Sequence, residues 1–68
     1  MRYKNYLIDI KPFALRDGPE WTVHVTVERD LRDQIEFIKK IETGNRFKSE
    51  SEASQFGELE GKRFVDGL

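Results

Sequence analysis

The chain contains no cysteine in its 68 residues. That excludes disulfides and thiolate metal sites outright, and it fits a reducing compartment, so a cytoplasmic location is expected. Neither sign of charge prevails: 12 basic residues stand against 13 acidic ones, a net charge of −1. No basic field is present of the kind that draws a protein onto nucleic acid without regard to sequence. No apolar run approaches the ~18 residues of a membrane span. The opening "MRYKNYLIDIKP" carries no apolar core of a signal peptide, so a soluble chain away from membranes is expected. Prolines number two and glycines five, and most fall where elements end. The length allows one domain, residues 1–68, with one modest core. A domain of this size buries only about 60% of its unfolded surface.

What is present is alternation. In "YKNYLIDIK" Tyr6, Ile8 and Ile10 share one face while Asn5, Asp9 and Lys11 lie nearer the other, which predicts a strand with one buried side. Pro12 removes a backbone donor and is expected to end it. "PFALRDGPE" is a connection with Asp17-Gly18-Pro19 as its turn. "WTVHVTVER" gives the clearest signal: Trp21, Val23, Val25 and Val27 point one way, Thr22, His24, Thr26 and Glu28 the other, with strong β-branched content. "DLRD" is a polar turn. "QIEFIKKIE" predicts a third strand of ambiguous facing. Ile35, Phe37 and Ile41 share a parity that Ile38 and Lys39 break, so a bulge would reconcile them.

The last element reads as a helix within Phe47–Gly67. Ser49 with Glu52 three residues later forms a capping box, and Glu50 and Glu52 suit the positive end of the helix dipole. Ala53, Gly57 and Gly61 recur every four residues along one stripe, flanked by Phe56 and Phe64. Two interior glycines cost about 1 kcal/mol each relative to alanine, which implies a packing reason: close approach to a sheet, with a helix-pairing face as the alternative. Asp66-Gly67 is the expected stop. The fold class is therefore α+β: a three-stranded antiparallel β-meander with one C-terminal helix packed on one face (β-β-β-α). Trp21 is expected at the centre of the core, with Tyr6, Ile8, Val23, Val25, Phe56 and Phe64. Glu60 falls near the middle of the apolar stripe, where a buried acid would need a basic partner or a route to water.

This order of elements resembles the double-stranded-RNA-binding domain. That family carries Gly-Pro-x-His between its first two strands, where this chain has "GPEW", Gly18 to Trp21. An alternating strand follows, as in "TVHVTV". The family's next helix opens S-K-K-x-A-K, where this chain has "SESEAS", Ser49 to Ser54. In the family the lysines at that position hold phosphates; here Glu50 and Ser51 stand there, with Glu52 alongside. The loop histidine is replaced by Trp21, and no counterpart of the family's first helix is expected ahead of Tyr3. The resemblance thus implies the plan of the fold and argues against duplex RNA as a partner, since duplex recognition needs shape and phosphate contacts together. The chain also resembles a set of small, functionally uncharacterised bacterial domains with the same plan. That likeness lies in a "W-x-V-x-V" strand and a helix with Ser49, Glu52, Ala53, Gly57, Gly61, Val65, Asp66 and Gly67 at its marked positions, motifs of packing and not of activity.

No nucleophile with its base, metal set or phosphate loop is visible in the sequence, so no catalytic, cofactor or metal residues are expected. His24 is the sole histidine, and without cysteine it makes a poor metal site. Ser49, Ser51 and Ser54 are explained by capping and surface exposure. The candidate interaction surface is the face away from Trp21: Thr22, His24, Thr26 and Glu28, with Asp9, Asn5 and Leu7. Lys39, Lys40, Arg46 and Lys48 form the one basic cluster, a candidate anion contact diluted by Glu36, Glu42, Glu50 and Glu52. The function expected is that of an accessory or protein-interaction domain without catalytic activity, its protein partner unidentified, as a monomer or weak homodimer. The alternative is a nucleic-acid-binding domain related to the double-stranded-RNA-binding fold.

Overall fold

The computed structural model describes all 68 residues. Its elements are β1 (Arg2–Tyr3), β2 (Tyr6–Ala14), β3 (Trp21–Leu31), β4 (Gln34–Glu42) and α1 (Glu50–Asp66). The sheet is fully antiparallel in the order β1-β2-β3-β4, and α1 lies across one face over β2 and β3. The class is α+β as expected, but the sheet has four strands and not three.

The added strand is made by a tight hairpin. Lys4 and Asn5 both have positive φ, 48° and 69°, as a two-residue turn that follows the strand twist requires. Asparagine tolerates that region and lysine does so rarely, so "KN" is a weak sequence signal for a turn. The hairpin pairs Tyr3 with Tyr6 and Arg2 with Leu7. Met1 and Ile8 exchange two further bonds, of 2.8 and 2.7 Å.

Pro12 does not end β2. The strand runs on to Ala14, with Pro12 opposite Val23. The Leu15 amide donates to the Glu20 carbonyl, so by alternation Phe13 turns its backbone groups toward β3 and Pro12 turns its nitrogen away. β1 does not reach that level. The missing donor therefore falls on a free edge, where proline is tolerated.

A bulge lies in β4. Val27 pairs with Lys39 but Glu28 pairs with Phe37, leaving Ile38 as the extra residue. The inserted residue resets the parity of the strand. Ile38 and Ile41 pack against the core, while Ile35 and Phe37 turn to the opposite face.

The core is Ile8, Val23, Val25, Val27, Ala53 and Val65. Trp21 is only partly buried, a correction to its expected central place. It sits at the end of β3 opposite Ala14 and pairs with Phe47 through two backbone bonds of 2.7 and 2.8 Å. The helix centres its contact further along the sheet. A Cβ on Gly57 would stand 2.9 Å from Val23 Cγ2, and one on Gly61 would stand 2.6 Å from Ile8 Cγ2. These glycines face the sheet as the stripe implied, and the helix axis comes close because nothing intervenes.

Ser49 caps α1, its Oγ accepting from the Glu52 amide at 3.1 Å. The Glu52 carboxylate reaches back one residue further than a standard capping box and accepts from the Lys48 amide at 3.2 Å. At the other end Gly67 closes the helix in right-handed geometry, φ −87°. Glu60 rides on the flank of the stripe, partly buried, beside Arg63 at 3.4 Å. Its partner is on its own helix and not on the sheet. Asp66 ties α1 to the first hairpin: it accepts from Lys4 Nζ at 2.6 Å and from the Tyr3 hydroxyl at 2.9 Å.

Candidate functional site: the open face of the sheet

Strand alternation and register decide what the uncovered face presents. Across β2, β3 and β4 the pairs align in rows. Leu7 lies level with Glu28 and Phe37, Asp9 with Thr26 and Lys40, and Lys11 with His24 and Glu42; Phe13 lies level with Thr22. Residues paired in an antiparallel ladder point to the same side, and Ile8, Ile10, Val23, Val25 and Val27 occupy the side under α1. The rows above therefore belong to the face turned away from the helix.

Asp9, His24, Thr26 and Glu28 are brought together on this face, as the alternation predicts. Asn5 is taken up in the hairpin turn instead. Thr22 shares the parity but is buried, 6% exposed, because the segment after β4 folds against it. Its hydroxyl donates to the Asn45 carbonyl at 2.9 Å. It holds that segment in place and offers nothing to a partner, a correction to its expected exposure.

The face carries more than the sequence disclosed. Phe13, Ile35 and Phe37 are 38%, 57% and 61% exposed. Phe37 and Ile35 adjoin along β4, and the Phe13 ring packs edge-on against His24 with centroids 4.8 Å apart. Around them the charges alternate in sign. Lys11 pairs with Asp9 at 3.4 Å and Lys40 with Glu42 at 3.3 Å, while Arg2 reaches Asp30 at 2.9 Å. The sequence signals for these residues were present but masked. The bulge at Ile38 hid the facing of Ile35 and Phe37, and Pro12 suggested that Phe13 lay beyond the strand.

The four basic residues of the candidate anion contact are not gathered on one face. Lys39 follows the register to the helix side and Lys40 to the open side. Arg46 is held by Asp17 and Glu20, each at 3.4 Å, and Lys48 is exposed ahead of the Ser49 cap. No group of three or more histidine, aspartate or glutamate side chains is placed to hold a metal ion, no pocket opens in the surface, and no helix is long and apolar enough to cross a membrane. No family model, curated protein or solved structure matches the chain.

Proposed function

We propose that the chain is a non-catalytic protein-interaction domain of the cytoplasm, and that the open face of its sheet is the contact surface. The observation that carries this reading is the placement of Phe37 and Ile35. Single exposed apolar side chains are ordinary on a protein surface. Here two adjoin on an uncovered sheet face, with Leu7 in the same row as Phe37 and Phe13 further along. An aromatic anchor ringed by polar groups that orient a partner is the common anatomy of a protein contact. The likeness to the RNA-binding plan supports the arrangement of elements only. The first turn of α1 carries Glu50 and Glu52, which face a phosphate with the wrong sign.

The test is affinity capture with the tagged full chain from nuclease-treated extract, run beside Phe37→Ser. Loss of an exposed ring leaves the fold intact, which circular dichroism checks. The expected result is a protein retained after nuclease treatment and reduced at least about fivefold by the substitution. Capture that depends on nucleic acid, or that ignores Phe37→Ser, overturns the reading.

A further inference from the structure

We infer that the occupant of the open face is a second copy of this chain, docked sheet to sheet about a two-fold axis that crosses the strands between the Asp9 and Lys11 rows. The inference rests on the role proposed for this face and names its partner. Its ground is the pattern of charge. β2 presents Asp9 then Lys11, and β4 presents Lys40 then Glu42 at the same two levels. Rotation about an axis across the strands exchanges those levels while keeping each strand over itself. Asp9 then faces Lys11 of the second copy, and Lys40 faces Glu42 of the second copy. All four charges meet the opposite sign, and by symmetry each contact occurs twice.

The remaining rows also fit. On β3, Thr26 faces His24 of the second copy, so no charge lies over its own image. The outer rows exchange as well, which sets Leu7 against Phe13 and Glu28 against the segment that covers Thr22. Phe37 comes over the segment that follows Glu42. Both helices stay on the outside, and the two inner faces pack as in a sandwich.

The size of the face sets the strength of the contact. Three strands about 4.8 Å apart and four rows deep give a footprint of roughly 14 by 25 Å per copy. That lies below the ~800 Å² per partner of a standard interface, so the dimer is weak, with a dissociation constant between about 10 μM and 1 mM.

Sedimentation of the purified full chain from about 10 μM to about 1 mM tests this. The expected result is a reversible rise from the 8.0 kDa monomer toward twice that mass. Lys40→Glu places like charges against Glu42 of the second copy and weakens association at least about tenfold. Adding Glu42→Lys restores opposite signs both within and between copies, and association returns. Phe37→Ser also weakens it. A chain that stays monomeric at 1 mM overturns the inference, as does a dimer indifferent to these changes or one that the double charge exchange fails to rescue. A monomer whose capture of another protein still depends on Phe37 refutes the second copy as occupant and leaves the proposed function standing. A monomer whose capture ignores Phe37 refutes both.

Discussion

Single residues divide sharply by depth. Ile8 is 1% exposed and lies directly beneath Gly61. Ile8→Ala removes its buried groups and costs about 2–5 kcal/mol. A chain of this length has roughly 3–10 kcal/mol to lose, so chemical denaturation is expected to show the variant largely or wholly unfolded. Trp21→Ala is expected to cost less than full burial would imply, about 2–3 kcal/mol, because the ring is only partly covered; a folded but weakened variant is the predicted outcome. Asp66 acts through charge. Hydrogen bonds from Lys4 and then from Tyr3 hold its carboxyl below the ordinary value of 3.8. The folded state therefore binds fewer protons than the unfolded state near that pH. The contribution of Asp66 is complete above 3.8 and is lost as pH falls through the lower, folded value. Thermal melts between about pH 6 and pH 2 are expected to show a decline at the acid end that is shallower in Asp66→Asn; an identical slope in the variant would contradict that role.

At the scale of elements, what the sequence disclosed depended on how local the determinant was. β3 and α1 were legible because alternation, the Ser49–Glu52 cap and the four-residue stripe are each written within one segment. β1 was not, because two residues acquire strand geometry only by pairing, and Lys4 at positive φ has little propensity to announce the turn. Pro12 misled because its consequence depends on whether a neighbouring strand is present at that level, which is a fact of the sheet and not of the strand. The candidate site was half legible for a similar reason. Thr26, His24 and Glu28 follow from alternation, whereas Phe37 reaches their face only through the bulge at Ile38. The close approach of α1 yields a direct prediction. Gly61→Leu adds a side chain where even a Cβ would lie 2.6 Å from the Ile8 branch methyl. It is expected to destabilise by about 1–3 kcal/mol in spite of the gain of about 1 kcal/mol in helix propensity. A raised melting temperature would mean that the helix does not approach the sheet as described.

For the whole molecule, the helix closes one side of the sheet and leaves the other uncovered. The net charge of −1 offers no long-range attraction to phosphate, and most of the affinity for a duplex comes from neutralised phosphates releasing counterions. Titration with duplex RNA at physiological salt is therefore expected to leave the amide spectrum unchanged around Arg46 to Ala53; micromolar binding centred there would overturn this prediction. The central claim concerns the opposite side, and a dilution series of amide spectra from about 1 mM to about 20 μM tests it most directly. The account predicts concentration-dependent shifts at Leu7, Asp9, Lys11, Thr26, Phe37 and Lys40, with the exposed side of α1 around Glu58 and Leu59 unmoved. Shifts centred on α1, or a spectrum that does not change with concentration, would contradict it.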